Sequence, residues 1–289
     1  MIRFVAMLIA LFMSMLASAE GNKKVIAFAQ DNLANDFRRA QVFEVRDAAA
    51  KNPNLEFVHS DAQGQTSLLI QQIEQFIEKK VSVLVLGTND ESAVVPAVSK
   101  AYRAGIPVIV LDRGIKGTDY TTFINSDNIK IGAIGAQYIA TRLKGKGTVL
   151  LFEGLQTADV TQLRSKGFLD EIGKHPGIKV IKRTGNYLRK DAVVEMEKLV
   201  SEGIHVDAIF SESDSMLSGV RMVLDKHGID ARSIVMIGCD YTNEARDAIR
   251  QGIQTGSVMF PLGGKQSVDT AIKILAGVTV PKHIVIPVK

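Results

Sequence analysis

The hydrophobic positions of this chain repeat one unit, a short apolar run followed by a longer stretch with a helical period. Residues 25–29 form the first apolar run, and a polar loop separates it from a helical face over residues 37–51. Similar runs follow at residues 55–58, 81–86 and 106–111. Apolar runs rich in β-branched residues are typical of strands buried on both faces. Their alternation with helices predicts parallel sheets covered by helices on both sides.

The pattern restarts near Asn125, which predicts two similar α/β lobes. We expect residues 20–124 and 260–282 to form the first lobe, and residues 125–259 and 283–289 to form the second. A helix is predicted from Glu91 to Ala104. The hydrophobic pattern is less regular from Thr255 to the end of the chain. This C-terminal segment should cross back between the lobes, giving a hinge of several strands. Crossovers are expected near residues 124–125, 259–260 and 283–284.

The amino-terminal residues 1–19 have the pattern of a secretory signal peptide. Arg3 precedes an apolar run over residues 4–13, and the small residues Ala17-Ser-Ala19 follow it. This order predicts cleavage before Glu20 and export to the periplasm. The residue directly after the cleavage position is Glu20 and not a cysteine, so a lipid anchor is not expected.

Composition excludes several classes of partner. The formal net charge is only +4 and the charges are scattered, so we expect no nucleic-acid partner. The single cysteine, Cys239, has no other cysteine in the chain to pair with. The absence of tryptophan and an aromatic content of 6% argue against an extended platform for a carbohydrate polymer.

Polar side chains follow nearly every predicted strand. These strand-end residues are Gln30-Asp31, Asp61, Asn89-Asp90, Asp112-Arg113, Glu153, Glu212-Ser213-Asp214 and Asp240. In an open α/β sheet the ligand crevice lies at the carboxyl ends of the strands. Carboxylates and arginines on both sides of a crevice suit a neutral polyhydroxyl ligand, since each hydroxyl can donate to one and accept from the other. Each residue taken alone could equally be a solvated loop charge or a helix cap, and Ser213 or Asp214 is the expected cap before Met216.

Two aromatic residues and one arginine are further candidates. Phe37 and Tyr187 stand where loops enter helices and could cover the apolar faces of a sugar ring. Both could instead be core anchors. Arg164 lies on a predicted helix, and taken alone it would be interpreted as surface charge.

Several motifs together resemble the periplasmic sugar-binding proteins of the ribose-binding type, which share their fold with the effector domains of the lactose-repressor family. The motifs are Leu111-Asp-Arg113, Ser126-Asp-Asn128, Arg164-Ser-Lys-Gly-Phe168, Ser213-Asp-Ser-Met216 and Ile237-Gly-Cys-Asp240. The resemblance implies a type I periplasmic binding protein fold: two Rossmann-like α/β lobes with parallel sheets and a three-crossover hinge. It also implies a monomer that captures a monosaccharide or related polyol and delivers it to the membrane subunits of an ABC importer. Some members of this family also report to a chemoreceptor.

The resemblance assigns binding roles to particular residues. The family's Asp-Arg pair falls on Asp112 and Arg113, its second arginine on Arg164, its late aspartate on Asp240 and its aromatic on Tyr187. The amino-terminal motifs look more like the galactofuranose-binding branch, which adds Phe37 and Arg38. Ser213 stands where the family usually has Asn, and Met259-Phe260 where a ligand Gln often stands. The expected ligand-binding set is Phe37, Arg38, Asp112, Arg113, Arg164, Tyr187, Ser213 and Asp240.

An enzyme, a transcriptional repressor and a sensor protein are the alternatives to a sugar-binding transport protein. No dinucleotide fingerprint, P-loop or G-x-S-x-G elbow is present, and the five histidines show no metal-ligand spacing, so we expect no enzyme, no cofactor and no metal. A transcriptional repressor would carry a helix-turn-helix in place of the signal peptide. The remaining alternative is a sensor protein that presents a sugar or a furanoid autoinducer to a chemoreceptor or sensor kinase.

Overall fold

The first lobe is built on a six-stranded parallel sheet in the computed structural model, which describes residues 23–288. The predicted signal peptide lies outside the described residues. The strands are β1 (Lys24–Gln30), β2 (Leu55–Asp61), β3 (Val83–Gly87), β4 (Val108–Leu111), β5 (Thr122–Ser126) and β11 (His283–Ile286). Their order across the sheet is β11-β5-β4-β3-β1-β2, and every pair is parallel.

Helices cover both faces of this sheet because successive strand residues point to opposite sides. They are α1 (Asp36–Ala49), α2 (Thr66–Glu78), α3 (Val95–Arg103) and, from late in the chain, α9 (Gly264–Leu275). Ala27 of β1 packs in one core with Leu69 of α2, whereas its neighbour Ile26 packs in the other with Val42 of α1 and Val268 of α9. The apolar runs seen in the sequence are therefore buried on both sides.

The second lobe repeats the arrangement with five strands. They are β6 (Lys146–Glu153), β7 (Gly177–Thr184), β8 (Ala208–Ser211), β9 (Val235–Cys239) and β10 (Gly256–Val258), in the order β10-β9-β8-β6-β7. The helices are α4 (Asn128–Arg142), α5 (Asp159–Ile172), α6 (Arg189–Ser201), α7 (Asp214–Lys226) and α8 (Asn243–Arg250), with a short 3-10 turn at Ala231–Ser233. The two parallel α/β lobes predicted from the sequence are confirmed.

The chain passes between the lobes at three places. It crosses from β5 to α4, returns between β10 and α9, and crosses again after β11. The last passage is marked by Val288, which is buried in the second lobe's core with Phe168 and Phe210.

One predicted boundary is wrong, because residues 283–286 do not join the second sheet. Strand β11 pairs with β5 in the first sheet, with Ile284 opposite Ile124. Pairing there satisfies the backbone groups along the open edge of β5. The third crossover therefore follows Ile286 instead of preceding His283.

Helix α3 also begins later than the sequence pattern predicts, at Val95 instead of Glu91. The Asp90 carboxylate accepts hydrogen bonds from the backbone N–H groups of Ser92 and Ala93, both at 2.8 Å. A side chain that satisfies local backbone donors favours a turn over a helix. Across residues 23–288, no helix has the length and apolar character needed to cross a membrane.

Candidate functional site

All eight residues predicted from the sequence line one small cavity between the lobes. The space between its walls amounts to about 250 Å³, including the part that is open to solvent. The first lobe contributes Phe37, Arg38, Asp112 and Arg113; the second contributes Arg164, Tyr187, Ser213 and Asp240; Asn35, Val160 and Phe260 complete the wall. The aspartates and serine follow strands β4, β8 and β9, so the site lies where parallel strands of both sheets end.

An alternating cluster of two arginines and two aspartates supports the first-lobe wall, and Asp31 is its one member that does not line the cavity. Arg38 Nη1 lies 2.8 Å from Asp112 Oδ2, and Arg38 Nε lies 3.6 Å from Asp31 Oδ1. Arg113 Nη1 lies 3.1 Å from Asp31 Oδ2 and also donates to the Thr88 carbonyl. All four charged side chains are buried. Their charges balance, so the cluster suits a neutral ligand.

Hydrogen-bonding capacity in this cluster is left unused. Among the residues that the structure describes, six buried side-chain polar atoms lack a hydrogen-bond partner, and four of them belong here: Asp31 Oδ1, Arg38 Nη2, Asp112 Oδ1 and Arg113 Nε. A buried polar atom without a partner costs about 1–3 kcal/mol. Two acceptors and two donors side by side match the hydroxyl group, which both donates and accepts.

Three site residues have backbone conformations that side chains other than glycine rarely adopt. The φ angles are +70° at Asp112, +63° at Tyr187 and +106° at Asp240. Such conformations cost of order 1–3 kcal/mol each, and they cluster at functional sites. Asp112 and Asp240 turn immediately after the last residues of β4 and β9, which brings both into the cavity wall.

Tyr187 serves as both a core anchor and a wall of the cavity. Its hydroxyl donates to Glu212 Oε2 at 3.2 Å and lies 2.8 Å from Thr161 Oγ1. Its ring faces the Arg113 guanidinium, 4.9 Å from the ring centroid. Burial, reinforced by the nearby Glu212 carboxylate, raises the pKa of Tyr187 well above its ordinary value, so the phenol is neutral. Tyr187 is therefore a core anchor, and its ring also lines the cavity.

Arg164 is held in place from two sides and is not a surface charge. Its Nε donates to Asn128 Oδ1 at 2.8 Å, and its Nη1 donates to the Glu212 carbonyl at 2.6 Å. The guanidinium lies 4.6 Å from the centroid of the Phe260 ring. Burial opposes its charge, but the surrounding ionisable groups outweigh burial and raise the pKa of Arg164. It presents a fixed cation to the cavity.

Asp240 and Ser213 form the opposite part of the second-lobe wall. Burial raises the pKa of Asp240 well above its ordinary value, although the Arg164 cation opposes the shift. The Ser213 hydroxyl accepts a bond from the Met216 backbone N–H at 3.3 Å and so caps α7, as one interpretation of the sequence predicted. Its hydrogen remains able to donate into the cavity.

An apolar wall closes the site near the second crossover. The Phe37 and Phe260 rings lie 5.1 Å apart between centroids, and both are buried. Of the pair Met259-Phe260, only Phe260 lines the cavity, whereas Met259 is 44% exposed. An apolar face therefore stands where the resembled family often has the amide of a Gln.

Sequence reasoning missed several contributors to the site. Asn35 accepts from the Arg38 backbone N–H as the cap of α1 and donates to the Tyr187 carbonyl at 2.8 Å. A capping signal before Phe37 could have identified it. Val160 carries no such signal. Asp31 was recognised as a strand-end residue, but its pairing with both arginines depends on the folded arrangement.

The lobes are in direct contact around the cavity. The Gly114 backbone N–H donates to Asp159 Oδ2 at 3.0 Å, and Thr157 Oγ1 donates to the Asn89 carbonyl at 2.6 Å. On another side, Arg189 Nη2 donates to Asp36 Oδ2 at 3.1 Å. Each of these bonds joins one lobe to the other, so the conformation is closed.

The site carries no cluster of metal ligands. Over residues 23–288, no group of three or more histidine, cysteine or acidic side chains is placed to hold a metal ion. The polar groups that line the cavity are arginines, aspartates, a serine, an asparagine and a tyrosine. These side chains can donate and accept hydrogen bonds.

Two parallel α/β lobes that close over a small polar cavity define a two-lobe solute-binding protein of the type I fold. The chain belongs to the periplasmic binding protein domain family, whose model matches residues 26–279. The resemblance to periplasmic sugar-binding proteins of the ribose type is thereby confirmed.

Similar proteins cover nearly the whole chain. The ribose import binding protein of Bacillus subtilis is 30% identical over 277 residues, which cover 94% of this chain and 89% of the relative. An ABC transporter solute-binding protein from Bacillus halodurans with bound myo-inositol is 26% identical with a TM-score of 0.87, covering 94% of this chain and 95% of that one. The fructose-binding periplasmic domain of a hybrid two-component system is 26% identical with a TM-score of 0.87, covering 92% and 89%.

Proposed function

We propose that this protein captures a monosaccharide or related polyol between its lobes and delivers it to an ABC importer. The observation that carries the proposal is the set of unpartnered donors and acceptors on Asp31, Arg38, Asp112 and Arg113, buried beside the cavity between the lobes. Two similar proteins support the ligand class. One is named as a ribose import binding protein, and the other is an ABC transporter solute-binding protein whose structure contains bound myo-inositol.

The cavity suits this ligand class in its geometry as well as its charge. Carboxylates on one wall accept from hydroxyls while guanidinium groups donate to them, and such charge-assisted bonds are the strong class. Phe37 and Tyr187 offer aromatic surface to the apolar face of a ring. Because the polar groups are already held by one another, little side-chain entropy is lost when a ligand binds.

Closure of the lobes is part of the proposed binding step. The binding groups come from both lobes, so neither lobe alone makes the full set. Hinge closure is the usual solution for such a site. The crossovers after β5, after β10 and after β11 are the segments that would bend.

We propose that the protein works in the periplasm as a monomer after removal of residues 1–19, with the membrane subunits of the importer as its partner. We also propose a binding role without catalysis and without a cofactor. Asp31 and Asp112, the carboxylates of the first lobe, are engaged in ion pairs with Arg113 and Arg38.

A second candidate is a sensor that presents its ligand to a chemoreceptor or sensor kinase. It is favoured by one observation, the similarity to a fructose-binding domain of a hybrid two-component system. The gene neighbourhood distinguishes the two, since an adjacent importer operon supports transport and an adjacent receptor or kinase supports sensing.

A thermal-shift screen tests the proposed ligand class. The purified protein is melted with pentoses, hexoses, polyols and cyclitols, and a tight ligand raises the melting temperature by mass action. We expect at least one sugar or polyol to do so. Asp112→Asn should abolish most of that shift, whereas the exposed Asp225→Asn should keep it. If no compound at saturating concentration moves the wild-type transition, the proposal is wrong.

A further inference from the structure

Arg38 is held by the buried side chain of Gln41, which does not line the cavity. Arg38 is the largest fully buried side chain among the described residues, and its Nη2 is one of the unpartnered donors. Its Nη1 donates to Gln41 Oε1 at 3.2 Å as well as lying against Asp112. Gln41 has no exposed surface and is not a lining residue.

The chemistry of its neighbours determines how the Gln41 amide is oriented. A guanidinium group can only donate, so the oxygen of Gln41 must face Arg38. The same oxygen accepts from Gln30 Nε2 at 3.1 Å. The amide nitrogen then donates to the Leu262 carbonyl at 2.8 Å. Every polar atom of the Gln41 side chain is used, and reversing the amide would oppose two donors to each other.

Gln30 is fixed in turn. Its Oε1 accepts from the Asp31 backbone N–H at 3.0 Å. Gly87 of the neighbouring strand leaves the room that Gln30 needs, because a Cβ there would lie 2.1 Å from Gln30 Oε1. The support beneath Arg38 therefore extends through two glutamines into the sheet.

The network also reaches the second crossover, since Leu262 lies between β10 and α9. One turn further along α1, Glu44 Oε2 accepts from the backbone N–H groups of Gly264 and Lys265 at 2.6 and 3.1 Å. Helix α1 thus lines the cavity with Arg38, contacts the second crossover through Gln41, and contacts the first residues of α9 through Glu44.

We propose that Gln41 is a positioning residue for ligand recognition: it holds the Arg38 guanidinium in the orientation that presents Nη2 to the ligand, and it ties that orientation to the second crossover. The inference rests on the proposed function of the cavity. It assigns to Gln41 an effect on affinity that passes through Arg38 and not through contact with the ligand.

The test is a double-mutant cycle with Gln41→Met and Arg38→Met. The probe is whichever of D-ribose, D-fructose, xylitol and myo-inositol gives the wild-type protein the largest thermal shift. Gln41→Met should lower its affinity by about tenfold, the scale for losing one hydrogen bond to a charged group. In the Arg38→Met background the same change should cost less than about twofold, because residues that act together are not additive. Equal losses in both backgrounds would overturn the proposal.

Two controls keep the result interpretable. Gln137→Met, at an exposed position of α4, should leave affinity unchanged. Gln41→Glu keeps an acceptor for Arg38 but sets a second oxygen against the Leu262 carbonyl, which favours the protonated form. Its affinity relative to wild type should therefore recover as the pH is lowered, and a deficit that is constant with pH contradicts the proposal.

Crystal structures of Gln41→Met and Gln137→Met separate this inference from the proposed function. Arg38 should move away from Asp112 in the first variant only, whether or not a sugar binds. If the wild type binds no compound of the full thermal-shift screen, the proposed function fails and the position of Arg38 still decides the role of Gln41. An unmoved Arg38 rejects it.

Discussion

The Arg113 guanidinium faces the Tyr187 ring, 4.9 Å from its centroid, and this contact joins the two lobes. Arg113 follows β4 in the first lobe, and Tyr187 precedes α6 in the second. The same guanidinium donates to Asp31 and to the Thr88 carbonyl. One side chain therefore connects the charged cluster of one lobe to the aromatic wall of the other.

Arg113→Lys should weaken ligand binding by about 10- to 100-fold, the range for losing a hydrogen bond to a charged group. An ammonium group cannot both pair with Asp31 and lie flat on the Tyr187 ring, as the planar guanidinium does. Calorimetric titration with the tightest sugar from the thermal-shift screen measures the loss. Arg103→Lys, at a side chain that is 77% exposed, is the matched control. Wild-type affinity in Arg113→Lys would remove this contact from the binding mechanism.

Arg189→Gln should lower the affinity for every ligand by the same modest factor. Arg189 lies in the second lobe outside the cavity wall. It bridges the lobes by donating to Asp36 of the first lobe at 3.1 Å, and it also donates to Glu244 of its own lobe at 2.6 Å. Because both partners are partly exposed, the bridge contributes at most about 1 kcal/mol, or roughly fivefold in affinity. Titration with two different sugars checks that their affinity ratio is unchanged. Arg250→Gln, whose partner Asp247 lies on the same helix, should have no effect.

Glu212→Gln should change how stability depends on pH. Burial raises the pKa of Glu212 from 4.5 to about 7, although bonds from Gly154 and Ser165 oppose the shift. The folded protein thus holds this proton more tightly than the unfolded chain, so Glu212 removes stability as the pH rises from 4.5 through about 7. The effect is of order 1–3 kcal/mol.

Thermal melts across that pH range test the sign of this effect. The melting temperature of Glu212→Gln should rise relative to wild type with increasing pH, because the amide never ionises. The exposed Glu56→Gln provides the comparison and should follow wild type throughout. A difference that shrinks as pH rises would contradict the assignment.

D-Ribose should bind at least about tenfold more weakly than the best hexose, hexofuranose or polyol. Ser213 is short and already caps α7, and Phe260 presents an apolar face where the resembled family often has an amide. Arg38 adds an unpartnered donor on the opposite wall. A ligand that leaves such groups unmatched is rejected strongly, since buried polar atoms are then stranded. Calorimetry with ribose and the best hit decides, and ribose as the tightest ligand would refute the expectation.

The architecture and much of the cavity lining follow from local sequence patterns. Apolar runs separated by amphipathic stretches encode which faces are buried, and that local information is enough to predict two parallel α/β lobes. Polar residues after those runs must converge, because the carboxyl ends of parallel strands share one edge. The strand-end residues Asp112, Ser213 and Asp240 consequently line one cavity. The family resemblance contributed the residues on helices, such as Arg164, which no strand end indicates.

How distant parts of the chain meet is visible only in the folded protein. The four residues of β11 suit either sheet by composition, and pairing with β5 placed them in the first. Gln41 is a polar residue on a helix, which a sequence pattern assigns to the surface, yet it is buried beneath Arg38. Likewise, nothing local states that Asp31 pairs with both Arg38 and Arg113. Local periodicity records burial, whereas the choice of partner depends on strand order and lobe closure, which are set by contacts between residues far apart in the chain.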